Sequence, residues 1–219
     1  MTAARYNARS VFQGKPIIGI AGGIGSGKSF VARLFGEMGC LVINSDDMVR
    51  RVYRDANVKH TLKQWWGPMV IDPGGEIDRS AVARKIFNLP SERTRLERLV
   101  HPIVNQEREK LMNAAAADPS IKAYVWDTPL LFETHLDKHC DAVVYVDSPV
   151  EDRVNRVKER GWDEAQLRTR EKSQMPLDSK RQLSHYSIAN PAGAGDADSV
   201  RNQVREVLSR ILERTAAPG

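Results

Sequence analysis

The chain has 219 residues, 41% hydrophobic and 28% charged, which suits one globular α/β domain with an embellishment or two. No apolar run approaches the roughly 20 residues of a membrane helix, no secretory signal is visible, and Cys40 and Cys140 make neither a disulfide framework nor a metal-ligand spacing. A soluble cytoplasmic protein with buried free thiols is expected, and the net charge of +5 with a pI near 9.3 points to an anionic partner, either nucleic acid or a phosphorylated small molecule.

Residues 1–15 carry Arg5, Arg9 and Lys15 and no acid, and they read as a short disordered extension with a faint likeness to an organellar transit peptide. Pro16-Ile17-Ile18-Gly19-Ile20-Ala21 reads as a buried parallel strand. From Lys28 onward, Val31, Leu34, Phe35 and Met38 repeat at i, i+3, i+4, i+7, which predicts a helix with one buried face that stops at Gly39. Cys40-Leu41-Val42-Ile43 is the next strand, so the chain opens as a βαβ unit with a parallel sheet.

Further strands are expected at 121–126 and 141–146. More than seventy residues separate Ile43 from Ile121, whereas a crossover needs roughly a dozen. The excess has helical spacing at 81–88, 92–100 and 102–117, with Asp78 and Ser91 as N-caps and Pro102 at a first helical position. It predicts a helical insert at the sheet edge where substrates bind. Residues 153–181 hold nine Arg or Lys against five acids, most of the net charge. Only Trp162 is interleaved with them as an aromatic, which argues against a nucleic-acid groove. A last helix over 199–214 places Val200, Val204, Val207, Leu208, Ile211 and Leu212 on one face.

Gly22-Gly23-Ile24-Gly25-Ser26-Gly27-Lys28-Ser29 fits G-x-x-x-x-G-K-[ST] at every fixed position, between an apolar strand and an amphipathic helix. Its glycines let successive N–H groups turn inward on anionic oxygens, and the helix presents its positive end to the same place. Lys28 can reach the β- and γ-phosphates, Ser29 can ligate Mg²⁺, and Phe30 needs to offer only its backbone N–H. A nucleoside triphosphate is therefore the expected ligand, bound through Gly25, Ser26, Gly27, Lys28, Ser29 and Phe30.

Such a loop alone does not choose an activity. A GTP switch would carry N-K-x-D, which is absent, and Asp72-Pro73-Gly74-Gly75 matches D-x-x-G only formally. A small-molecule kinase needs an acceptor site and a cationic lid, which the insert and the Arg-rich segment supply. Asp46 and Asp47 follow the second strand at the ligand-binding edge. Asp46 either accepts the acceptor's hydroxyl proton or caps the helix through 48–54, and Asp47 reads as a cap. Asp127 closes the third strand, either holding Mg²⁺, directly or through water, or forming a turn. Asp147, before Ser148-Pro149, reads as a cap for the next helix.

Taken in order, several segments resemble the dephospho-CoA kinase family: the glycine loop, Asn44-Ser45-Asp46, Leu99 with His101-Pro102, Asp127-x-Pro129-Leu130-Leu131-Phe132-Glu133, Arg156 and Arg160, Gln174-Met175-Pro176-Leu177, Lys180-Arg181 and Asn190. The chain departs from the family pattern at Asn44, which replaces an acid, at Phe30, which replaces a threonine, and at 184–190, which reads Ser-His-Tyr-Ser-Ile-Ala-Asn. The resemblance implies an α/β P-loop kinase with a parallel five-stranded sheet flanked by helices. Its core would span about 16–46, 121–152 and 182–219 of a single domain over 16–219, with an acceptor-binding helical insert at about 47–120 and a lid at about 153–181.

It implies ATP and Mg²⁺ as cosubstrate and metal, and dephospho-CoA as acceptor, with no nucleic-acid or membrane partner. Asp46 would be the base, with Lys28 and Arg156 catalytic and Arg160 a lid arginine at the substrate with His101 and Asp127. Asn190 either contacts adenine or forms a turn, His101 either binds or packs, and Arg156 and Arg160 form either a lid or a solvated face. The alternative activity is a nucleoside or nucleotide kinase of the same fold. Oligomeric state has no signature in the sequence.

Overall fold

The structure is a computed structural model that describes residues 12–87, 89–192 and 196–216. These form two compact units, one running to Ile43 and resuming at Ala115, the other spanning Asn44–Ala114. The second unit overlaps most of the residues expected to form the insert, at about 47–120, and residues 153–181 belong with the first unit.

The first unit is built on a sheet of strands β1 (Ile17–Gly22), β2 (Cys40–Asn44), β3 (Ala123–Asp127), β4 (Ala142–Asp147) and β5 (Tyr186–Ala189), in the order β2-β3-β1-β4-β5. β1 pairs in parallel with β3 and β4, and β4 with β5. Helices α1 (Lys28–Glu37) and α9 (Asp196–Ala216) cover one face. There Ile18, Ile20, Val144 and Val146 of the sheet meet Val31, Leu34 and Phe35 of α1 and Val200, Val204, Leu208 and Ile211 of α9. Phe30 packs against this core rather than entering the phosphate site. On the other face Ala21, Val143 and Tyr145 pack with Leu131 and Phe132. Cys40 is buried in the core on the α1 and α9 face as a free thiol, and burial pushes it up to about 12, while Cys140, also free, is half-buried against the cluster of the other face.

Helices α6 (Val150–Lys158), α7 (Glu164–Glu171) and α8 (Leu177–Leu183) carry the basic stretch. Val154, Val157 and Leu167 share a small apolar cluster with Trp162 and with Ile24 of the glycine loop. Asp147 does not cap α6, whose N-cap is Pro149; its carboxylate accepts from Arg181 at 3.2 Å. The expected disorder of residues 1–15 requires correction at 12–15. Phe12 O accepts from Lys15 N, the Phe12 ring stands edge-on to Tyr124 at 5.8 Å, and Lys15 Nζ donates to Ala115 O at 2.9 Å. Residues 1–11 of that extension lie outside the described residues.

The second unit contains α2 (Ser45–Val52), α3 (Ala56–Trp66), α4 (Arg79–Phe87) and most of α5 (Pro90–Ala115). Asp78 caps α4 as expected, accepting from Ser80 N and Ala81 N at 2.8 and 3.0 Å. The two helices expected at 92–100 and 102–117 are instead one, α5, with Pro102 inside it and Ser91 in its first turn rather than at a cap. An interior proline costs about 3 kcal/mol through its missing N–H and its clash with the preceding turn. The buried stripe Leu96, Val100, Val104, Arg108, Met112 keeps its spacing of four across Pro102, and that packing holds the helix through the defect.

Candidate active site

β1 delivers Gly22 to the sheet edge, and the chain turns through Gly25 (φ +76°) and Gly27 (φ +87°) into α1. Both values lie in the left-handed region, where a Cβ is strained. At Gly27 a Cβ would also stand 2.2 Å from Asn190 Nδ2, and at Gly25 it would stand 2.7 Å from Arg153 O. The carbonyls of Ile24, Gly25 and Ser26 are directed backward onto fixed donors and Ser26 N donates to Gly23 O at 3.2 Å, which leaves the other N–H groups of the loop to form an anion nest.

Three side chains do the fastening. Arg156 Nη1 donates to Gly25 O, Ser26 O and Ser148 Oγ, and its Nη2 donates to Asn190 O at 3.0 Å. Asn190, 5% exposed, donates its amide to Ser26 O at 2.7 Å, and its own N–H goes to Asp147 O at 2.7 Å. Arg153, 5% exposed, donates to Ile24 O at 3.4 Å and is paired with Glu171. Arg156, read from sequence as a lid or solvated-face arginine, and Asn190, read as an adenine contact or a turn residue, both bond the backbone of the loop here. Arg153 was not expected at all. In sequence it is one of nine cations in a charged stretch, and only its place beneath Ile24 distinguishes it.

Lys28 Nζ donates to Gly23 O at 2.8 Å and Gly22 O at 3.2 Å. Burial lowers its pKa to about 8, helped by the charge of Lys180 and opposed by that of Asp127; Arg160 and Arg153 lower it further. A loop crowded with positive charge disfavours one more ammonium, and an incoming phosphate relieves that crowding. Asp127, 4% exposed, ends β3 opposite Ile20 of β1, two residues before Gly22. Ser29 stands exposed in the first turn of α1, and Arg160 is exposed just past the end of α6. Ser29 and Asp127 are hard oxygen donors, the chemistry Mg²⁺ takes when phosphates and water complete its shell. Ser26 Oγ is buried without a hydrogen-bond partner among the described residues.

In the second unit, Asn44 at the end of β2 caps α2, accepting from Asp47 N at 3.0 Å. The residue that departs from the family's acid therefore does an N-cap's work. Asp47 pairs with Arg50 at 3.0 Å on the exposed face of α2 and is not itself the cap. Asp46 is exposed in the same first turn, and its carboxylate has no hydrogen-bond or ion-pair partner among the described residues. The two acids thus separate into one engaged and one available. His101 is exposed within α5.

A sequence profile of the dephospho-CoA kinase family matches residues 16–214. A dephospho-CoA kinase of Syntrophotalea carbinolica is 36% identical over 204 residues, covering 92% of this chain and 95% of its own. One from Leptospira interrogans is 34% identical over 198 residues, covering 90% and 93%. A crystal structure from Thermus thermophilus superposes with a TM-score of 0.74 at 32% identity, over 90% of this chain and 97% of that one. A dephospho-CoA kinase of Campylobacter jejuni shares the fold, with a TM-score of 0.61 at 19% identity, over 90% and 98%.

Proposed function

The chain belongs to the dephospho-CoA kinase family, and from that premise we propose that it transfers the γ-phosphate of ATP to the 3′-hydroxyl of dephospho-CoA, giving CoA and ADP in the last step of coenzyme A synthesis. The observation that carries this reading is the fastened glycine loop with Lys28 at its mouth. Carbonyls drawn back by Arg156, Asn190 and Arg153 keep the N–H groups aimed at phosphate before any ligand arrives. Such preorganisation is where phosphoryl transfer gains most of its rate, because little covalent chemistry is left for the protein.

Lys28 binds the β,γ-bridge region and follows the charge that develops there. Mg²⁺ held by Ser29 and by Asp127, directly or through water, would supply further charge neutralisation on the triphosphate. Asp46 is the acceptor base: a carboxylate with no partner among the described residues can take the hydroxyl's hydrogen bond and then its proton. The residues of the second unit bind the acceptor, and His101 lies on α5, the longest helix of that unit. Arg160 joins the phosphates when 153–181 closes as a lid. Binding energy from the long pantetheine arm would then orient the ribose hydroxyl, an effect seen in kcat as well as KM.

Coupled ADP release tests the assignment with dephospho-CoA, adenosine, AMP, shikimate and gluconate as acceptors. Dephospho-CoA is expected to show the highest kcat/KM. A higher value for any other acceptor overturns the substrate while leaving an ATP-dependent kinase.

A further inference from the structure

Lys180 is 2% exposed, an unusual station for an ammonium. It lies on α8, whose first residue, Leu177, packs on the glycine loop: a Cβ at Gly23 would come within 3.3 Å of Leu177 Cδ2. Leu177 and Lys180 are three apart and share a helix face. Lys180 therefore sits on the α8 face that meets Gly23, the residue whose carbonyl accepts from Lys28. Its Nζ donates to Glu133 Oε1 at 2.9 Å and to Gln174 Oε1 at 3.0 Å. Glu133 Oε1 also accepts from Met175 N at 2.9 Å, which ties the segment after β3 to the chain entering α8. Burial works against the Glu133 carboxylate, but its bonds to Lys180 and Met175 N outweigh that and lower its pKa below the ordinary value.

An ammonium has three donors, and the two protein acceptors engage two of them. We infer that Lys180 is a second lysine of the phosphate site, aimed by Glu133 and Gln174 so that its remaining donor meets a phosphate oxygen beside Lys28. The inference rests on the kinase reading above. Its physical basis is that a cation held rigidly in a dry site stabilises developing phosphate charge without reorganising. Lys180 is also the neighbouring charge that Lys28 feels most strongly, as expected for two ammonium groups awaiting one polyanion.

A purely structural salt bridge makes a different prediction. Removing one partner of a buried pair leaves an uncompensated charge, whereas removing both is tolerated. The test compares Lys180→Met with the double variant Lys180→Met/Glu133→Gln, reading Tm, kcat and KM for ATP and dephospho-CoA. The single variant should lose both stability and activity. The double variant should recover its Tm yet keep a kcat at least ~10²-fold below the parent, the usual loss for one preorganised charge. Recovery of kcat to within about threefold would reduce the pair to a structural role and overturn the inference.

Should the double variant not fold, the parent protein decides the matter. Its lysine side-chain ¹⁵N signals are followed during titration with inorganic tripolyphosphate, with Lys180 assigned by Lys180→Arg. Movement of the Lys180 signal with that of Lys28 supports the inference, and a stationary Lys180 signal overturns it. Tripolyphosphate binding does not depend on the acceptor, so failure of the dephospho-CoA assignment would appear separately, as a parent enzyme inactive on that acceptor.

Discussion

The glycine loop and the first turn of α2 hold the two halves of the proposed chemistry, and they are built on opposite plans. Around the loop, polar side chains are buried and engaged: Arg153, Asn190 and Lys180 are each 5% exposed or less, and each bonds a named partner. On α2, Asp46 is exposed and unengaged among the described residues, and elsewhere in its unit Met69, Phe87 and Leu89 are 62%, 84% and 50% exposed. A triphosphate presents the same anionic oxygens whatever base it carries, so its receptor can be completed in advance. The proposed acceptor, with its long flexible arm, would call for the opposite: apolar surface left open and a carboxylate within reach.

The comparison breaks most visibly at Asp46. Asp46→Asn should lower kcat by ~10²–10⁴-fold with little change in KM for ATP, since it removes a proton acceptor and no phosphate contact. Steady-state kinetics would show this, and an equal or larger loss in Asp47→Asn would place the base wrongly. On the other side, Lys28→Met should cost at least ~10²-fold in turnover while circular dichroism stays that of the parent. Near-normal turnover would mean that the loop does not serve a triphosphate.

Prior assembly of the loop can be tested by disturbing a single atom. Gly27→Ala puts a methyl group into Asn190 at a backbone angle that already favours glycine. Affinity for ATP should weaken by about tenfold or more, the equivalent of 1–3 kcal/mol of strain. Unchanged affinity by calorimetry would show that the Asn190 fastening is dispensable.

The pH dependence sharpens the same point. Lys28 lies at about 8, below its ordinary 10.5, so below pH 8 the fold bears the full cost of a buried ammonium. As pH rises from 8 toward 10.5 the folded protein loses that proton before the unfolded chain does, the unfolded state binds more protons, and stability rises. Activity runs the other way. kcat/KM for ATP reports the free enzyme and should fall through about pH 8, by roughly tenfold near pH 9. kcat should hold to higher pH, because bound phosphates favour the charged form. Parallel profiles for the two constants would contradict this. The smallest expected effect is at Asp47: its exposed pair with Arg50 is worth about 0.5 kcal/mol at most, so Asp47→Asn should leave kcat within about twofold.

What the sequence disclosed follows the same division. The loop was legible because each of its glycines answers a local geometric demand, and the strands were legible because apolar runs mark burial on both faces of a parallel sheet. The double role of the charged stretch was not legible. Arg153 and Lys180 look like Arg168 and Lys172 in a string of letters, yet the first two are buried and the last two are exposed. Burial of a cation is decided by what packs over it, here Ile24 at Arg153 and Glu133 at Lys180, each distant in the chain from its cation. The unbroken α5 escaped for a related reason: proline is a local signal, and the stripe from Leu96 to Met112 that overrides it works through tertiary packing.

The bond from Asn190 to Ser26 spans 164 residues. During synthesis the glycine loop emerges well before its clamp, which comes from the residue just after β5. A nascent chain that stops short of β5 has a nucleotide-binding sequence and no nucleotide-binding shape. Closing so long a loop is slow relative to local folding, so ATP can report on completion of the fold: affinity should arise late and abruptly, once the C-terminal strand has paired with β4.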